Sequence, residues 1–166
     1  MLLISRVNWV LRAKILGFIY SNFNALYFGK PLLLTGIRRI SVGSGVGIFP
    51  GARIEVHKRG SLVIGSNTKI GHGFFVDCSG NVKIGSETTL SSNVHISTRQ
   101  YRWTDIYKQG FKGAQDGVED VQIGSGVFVG INVVIMPGVH IADGCVIGAN
   151  SIVTKSLTEK TIYKQR

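Results

Sequence analysis

The chain has 166 residues, 44% of them hydrophobic and 17% charged, with 22 glycines and three prolines. That apolar content excludes a disordered chain, and glycines without a three-residue period exclude collagen. The formal net charge of +10 sits mainly at the ends: residues 1–39 hold six basic groups and no acidic one, and residues 153–166 add a net +3.

Residues 2–19 place Ile4, Val7, Val10 or Leu11, Lys14, Ile15 and Phe18 at helical spacing, which predicts an amphipathic helix. The aromatic stretch Tyr20, Phe23, Tyr27 and Phe28 follows it. Such a helix either caps the open end of a β structure or lies on a membrane surface, and the two roles are compatible. Arg6, Arg12 and Lys14 interrupt the apolar run, so it does not read as a secretory signal. No stretch reaches the about 18 uncharged apolar residues of a spanning helix. Two cysteines, Cys78 and Cys145, make no disulfide framework, and no Cys-x-x-Cys or His-Glu-x-x-His pairing is present to hold zinc. The expected location is the cytoplasm, at the inner face of the membrane where the helix docks.

From Val42 an aliphatic residue recurs every six positions: Val42, Ile48 and Ile54; Ile64, Ile70 and Val76; Ile84, Leu90 and Ile96; Ile123, Val129 and Ile135; Ile141, Ile147 and Val153. Glycine often follows it (Gly43, Gly65, Gly71, Gly85, Gly124, Gly130, Gly148), and a small or apolar residue commonly stands four on. Period six fits neither an amphipathic helix nor simple alternation. Short strands separated by corners do fit, with β-branched side chains stacked from coil to coil and glycine taking the backbone angles a corner requires. Grouped in threes, the hexads make about five triangular coils. Every excess residue then falls between the third hexad of one coil and the first of the next: four between Ile54 and Ile64, two between Val76 and Ile84, and twenty-one between Ile96 and Ile123. All insertions therefore leave from one corner, the long one as a protruding loop over about 97–122. Leu62 and Val82 are expected to resume the inward position. The chain divides into a helix and cap segment (1–39), the β-helix (40–157) and a short tail (158–166).

The hexads, with IGSGVFVGINVVIMPGVHIADGCVIGANSIVTKSL at 123–157 as their most specific stretch, resemble the left-handed β-helix acyltransferases. This hexapeptide-repeat family includes galactoside, maltose and antibiotic acetyltransferases and many O-acetyltransferases of surface polysaccharides. The resemblance runs from about Gly36 to Lys155, and the loop text Gln109-Gly110-Phe111, after Tyr101 and Asp105, is similar to the polysaccharide-modifying branch. It implies an all-β, left-handed parallel β-helix that assembles as a homotrimer. It also implies acetyl transfer from acetyl-CoA to a hydroxyl of a sugar or glycan acceptor, with a histidine as base and no metal. By the same resemblance the cofactor groove falls on Phe128, Gly130, Ile131, Ala149, Thr154 and Lys155, and the acceptor side on Asp77, Arg99, Tyr101 and Asp105.

The sequence departs from that family where the loop histidine is expected, reading Ser97-Thr98-Arg99-Gln100-Tyr101. Arg99 stays protonated and is no base. Of the four histidines, His95 is next to the loop, one before an inward residue, and is the favoured base; His72 ranks below it. His57, beside Lys58 and Arg59, reads as solvated surface, and His140 as structural. The segment after Lys155 is also shorter than the family's usual closing stretch. Both departures leave open a non-catalytic relative that keeps the trimeric scaffold and coenzyme A binding. A β-helix carbonic anhydrase is disfavoured because no two histidines are closely spaced, and no nucleic-acid module is present.

Overall fold

All fifteen repeat residues point inward, none more than 2% exposed. Around them the chain winds as a left-handed parallel β-helix in the computed structural model, which describes residues 2–110 and 116–164; the side chains of residues 2–5, 105, 109 and 116 lie outside the description. Three parallel sheets form its walls. Face A carries Ile40–Val42, Ser61–Ile64, Asn81–Ile84, Val121–Ile123 and His140–Ile141. Face B runs from Tyr27–Phe28 through Gly47–Ile48, Lys69–Ile70, Thr89–Leu90, Phe128–Val129 and Val146–Ile147 to Ile162–Tyr163. Face C carries Leu33–Thr35, Arg53–Val56, Phe75–Cys78, His95–Ser97, Val134–Ile135 and Ile152–Val153. The register places each repeat residue on its equivalent one coil away, as in Ile54 on Val76 and Ile96 on Ile135. Leu62 and Val82 are buried, resuming the inward column after each short insertion.

The stack is longer than the five coils expected. Phe23 bridges Val42, Tyr27–Phe28 pairs with Gly47–Ile48, and Leu33–Thr35 pairs with Arg53–Glu55, which makes a complete coil ahead of the first hexad. Aromatic residues hide it: Phe23 and Phe28 fill the inward positions edge to face, with ring centroids 5.5 Å apart, where later coils use Ile or Val. With six full coils in place, Leu157 bridging Ile141 and Ile162–Tyr163 pairing with Val146–Ile147 begin another.

Corner chemistry also differs from expectation. The glycine directly after the aliphatic residue is not the one with positive φ. Left-handed residues stand three after it, at Gly45, Asn67, Glu87, Gly126 and Gly144 between faces A and B, and at Gly51, Gly73, Asn93, Asn132 and Asn150 between faces B and C. Glycine and asparagine tolerate that region best. The glycines nearest the aliphatic column serve close approach instead: a Cβ on Gly65 would run into the Ser86 amide of the next coil, and one on Gly130 would lie 2.6 Å from the Ala149 nitrogen. Buried Thr68 and Thr88 tie neighbouring coils, each hydroxyl donating to a carbonyl one coil on (Gly85 at 2.8 Å, Gly124 at 2.9 Å).

A helix, α1 (Leu2–Ile19), covers the first coil. Ala13 is buried, Trp9 packs on Tyr27 and Phe49 with ring centroids 6.3 and 6.0 Å away, and the Arg12 guanidinium donates to the Phe28 carbonyl at 2.9 Å. Arg6, Trp9, Val10, Tyr27 and Phe49 line a cavity of about 310 Å³ at that junction. Val7, Leu11 and Phe18 project away from the body, Phe18 at 95% exposure.

The long insertion is not a featureless loop. Arg99–Tyr101 pairs antiparallel with Asp116–Val118, and a short helix, α2 (Trp103–Gln109), follows the outgoing strand. The result is an arm rooted where faces C and A meet.

Gly65→Ala is expected to lower unfolding stability by about 1–3 kcal/mol, because the added methyl must push two backbones apart. Asn67→Gly at the left-handed corner is expected to change it by no more than a few tenths, since glycine suits that conformation. Denaturant melts of the two variants check both.

Candidate active site

The corner between faces C and A collects every insertion, and the collected residues are polar. On the outer side of face C the register runs Glu55, Asp77, Ser97 in one column and Arg53, Phe75, His95, Val134, Ile152 in the next. Asp77 is therefore the last outward residue of its strand before the corner. Ser79, two residues on, is buried, and its hydroxyl donates to Asp77 Oδ1 at 2.9 Å. Arg99, at the root of the arm, donates to Ser79 Oγ from Nε (3.2 Å) and Nη2 (2.9 Å), and from Nη1 to the Tyr101 hydroxyl at 3.3 Å. Thr98 locks the turn beneath them, its hydroxyl donating to the Asp77 carbonyl at 3.1 Å and accepting from the Gly80 amide at 2.9 Å.

From the coil before comes His57. Its Nε2 is buried, lies 3.7 Å from Asp77 Oδ1, and has no hydrogen-bond partner among the described residues, while the side chain as a whole is 42% exposed. The returning strand is pinned at the same corner by Asp120, whose carboxylate accepts from the Asn81 amide (2.7 Å) and Asn81 Nδ2 (3.0 Å). Those two bonds hold the Asp120 carboxyl below its usual range. Behind Asp77 the inward thiol of Cys78 is pushed up to about 12, first by burial and then by the neighbouring carboxylate.

The corner thus brings Asp77, Arg99 and Tyr101 together. His95 stands apart, exposed on face C with its ring 5.5 Å from that of Phe75, which the Arg53 guanidinium covers. Asp105 is on α2, and its side chain lies outside the described residues. His72 packs on Phe49 at 5.0 Å, at the corner between faces B and C, and His140 is exposed on face A. The sequence reads His57 as solvated surface and does not single out Ser79. The signal was present, because insertions that share a corner bring residues 57–60, 78–80 and 97–99 into one place.

The residues assigned to a cofactor groove fall into two groups. Phe128, Ile131 and Ala149 are exposed on the last coils around the corner between faces B and C, with Gly130 packed beneath Ala149. Beside them runs an amide ladder, Asn93 Nδ2 donating to Asn132 and Asn132 Nδ2 to Asn150, both at 3.1 Å. Thr154 and Lys155, also exposed, lie across face C, beyond Ile152–Val153.

Residues 120–155 match the family model described as "Bacterial transferase hexapeptide (six repeats)". The chain resembles the hexapeptide-repeat acyltransferases. It is 28% identical over 128 residues to the putative lipopolysaccharide biosynthesis O-acetyl transferase WbbJ of Escherichia coli K12, covering 72% of this chain and 62% of that protein. Galactoside O-acetyltransferase of the same organism is 33% identical over 104 residues, covering 59% of this chain and 50% of its own length. Against several curated relatives the chain spans about half of their length. Among solved structures, AntD, an N-acyltransferase from Bacillus cereus in complex with dTDP and 3-hydroxybutyryl-CoA, superposes with a TM-score of 0.74 at 21% identity, covering 93% of this chain and 81% of that one. At that identity the likeness establishes the β-helix fold.

Burial of Cys78 has a measurable consequence. Its thiol holds its proton in the folded chain to about pH 12, whereas the unfolded thiol loses it near 8.5. The contribution to stability is complete below about pH 8.5 and is lost as pH rises toward 12. Native protein at pH 8 is expected to leave Cys78 unmodified by iodoacetamide over hours, with labelling appearing on addition of denaturant. Mass spectrometry of the peptide reads the outcome.

Proposed function

We propose that the protein is an acetyl-CoA-dependent O-acetyltransferase acting on a sugar hydroxyl of a surface polysaccharide or its precursor. The observation that carries this reading is the polar corner at the root of the arm, on a hexapeptide β-helix whose last coils expose Phe128, Ile131 and Ala149. Exposed apolar side chains beside a ladder of amides suit a pantetheine chain, which is apolar with two amide groups. Lys155 supplies a cation for a cofactor phosphate.

The two groups assigned to the cofactor flank face C. A ring of three protomers with face C turned inward brings one corner of each protomer toward the opposite corner of the next, so a homotrimer completes a groove that one chain holds in halves. The transfer also needs a base within hydrogen-bond reach of the acceptor hydroxyl. His57 lies 3.7 Å from Asp77 at the corner, and His95 stands on the neighbouring strand of face C.

The same reading gives α1 a task. No described helix is long and apolar enough to cross a membrane. Exposed Val7, Leu11, Ile15 and Phe18 with Arg6 and Lys14, in a segment lacking acidic residues, suit an anionic lipid surface, which attracts cations while apolar side chains enter the interface. Docking there places the enzyme beside a lipid-linked acceptor.

Isothermal calorimetry with coenzyme A and transfer of labelled acetyl groups to a panel of glycans test the activity. Binding with acetylation of a glycan hydroxyl is expected; binding without transfer to any glycan supports a non-catalytic scaffold, and no binding rejects the proposal. For the helix, co-sedimentation with phosphatidylglycerol vesicles is expected to exceed that with phosphatidylcholine and to fall in the Phe18→Glu variant. Equal recovery with both lipids removes the docking role.

A further inference from the structure

We infer that His57 and Asp77 form the proton-accepting pair of the reaction, with Ser79 and Arg99 fixing the carboxylate. The inference deepens the acyltransferase reading and rests on it. Its starting point is the buried Nε2 of His57, which has no hydrogen-bond partner among the described residues and faces Asp77 Oδ1 at 3.7 Å. A buried ring nitrogen without a partner is costly unless its geometry serves a purpose. A rotation of the imidazole by a fraction of an ångström makes the bond, and catalytic hydrogen bonds in free enzymes are commonly long.

The partner is held from the far side. Ser79 donates to the same Asp77 oxygen at 2.9 Å, and two guanidinium nitrogens of Arg99 hold the Ser79 oxygen. The order Arg99, Ser79, Asp77, His57 is a chain of donors aimed at one carboxylate, which in turn receives the Nε2 proton of the ring. A carboxylate at Nε2 fixes the neutral tautomer with its lone pair on Nδ1. With Nε2 turned to the carboxylate the side chain is still 42% exposed, so the ring stays open to solvent.

With acetyl-CoA and a hydroxyl acceptor the step balances. The hydroxyl proton passes to His57 Nδ1 as its oxygen attacks the thioester carbon, the new C–O bond forms, the C–S bond breaks, and the proton is returned to the coenzyme A thiolate. Asp77 does not change protonation; it orients the ring and stabilises the imidazolium while it exists. Arg99, which replaces the family's loop histidine, becomes intelligible in this arrangement: it anchors a base supplied two coils earlier.

Acetyl-CoA consumption is followed by thiol release with maltose, methyl β-galactoside and water as acceptors, alongside calorimetry with coenzyme A and thermal melts to confirm folding. His57→Gln is expected to lower kcat by about 10²–10⁴-fold while KM for acetyl-CoA and affinity for coenzyme A stay within twofold. Imidazole in the buffer is expected to restore part of the rate to His57→Ala, and His140→Ala, on the exposed side of face A, to leave kcat within twofold. Asp77→Asn, a change to a positioning residue, is expected to lower kcat without altering KM. In ¹⁵N spectra of the free protein, neutral His57 is expected to carry its proton on Nε2, a preference that Asp77→Asn removes. An unchanged kcat in His57→Gln, or a proton on Nδ1, overturns the pair and leaves the acyltransferase reading standing. Wild-type protein that binds coenzyme A yet consumes no acetyl-CoA overturns the pair as a catalytic device. Failure to bind coenzyme A at all removes the parent reading and the pair together.

Discussion

The inward stacking of one aliphatic side chain on its equivalent in the next coil is the constraint from which the rest of the molecule follows. Each fully buried Ile, Val or Leu is worth about 1.5–3 kcal/mol in transfer from water. That gain is available only while every strand keeps its register, since a one-residue slip turns the column outward. The coils must also approach to strand spacing, which is why glycine rather than alanine stands beside Ser86 and Ala149 at Gly65 and Gly130. Parallel hydrogen bonds then run the length of each face, and the buried Thr68 and Thr88 hydroxyls carry the ladder through a corner where side chains replace backbone partners.

Register on three faces fixes where variation is tolerated. In the second to sixth coils, both the corner from face A to B and that from B to C carry a left-handed residue three after the aliphatic one, a geometry that leaves no room for extra chain. The third corner uses the same device only where nothing is inserted, as at Gly138. Elsewhere it releases residues 57–60, 78–80 and the arm. Chemistry-bearing side chains therefore accumulate at one edge. A rigid wall positions Asp77, and loops that leave the same edge bring His57, Ser79 and Arg99 to it.

Much of this was readable from the chain itself. Fifteen aliphatic residues at six-residue spacing define the coils, and the uniform placement of the gaps predicts three sides. What escaped has identifiable causes. Phe23 and Phe28 bury as well as isoleucine but broke the pattern by type and spacing, so the first coil looked like a cap. The positive-φ role went to the wrong glycine because spacing alone does not separate a residue that needs left-handed angles from one that needs the absence of a Cβ. His57 looked solvated because Lys58 and Arg59 adjoin it, whereas its surroundings are set by Asp77, twenty residues away and one coil on. His95 faces outward, as its place one before an inward residue implies, and its ring meets Phe75 on face C.

A paired-cysteine experiment across the long insertion tests the stacking most directly. Lys83 and Gln122 are register partners on face A, 39 residues apart with the whole arm between them, and both side chains are exposed. Neighbouring strands are about 4.8 Å apart, within the span of a disulfide, and Cys78 and Cys145 are buried and do not compete. Lys83→Cys with Gln122→Cys is predicted to oxidise rapidly to an intramolecular bond in folded protein, whereas Lys83→Cys with His140→Cys, one coil too far, is predicted to remain reduced. Equal cross-linking of the two pairs, or none in the first, would contradict the stacked coils and every placement that depends on them.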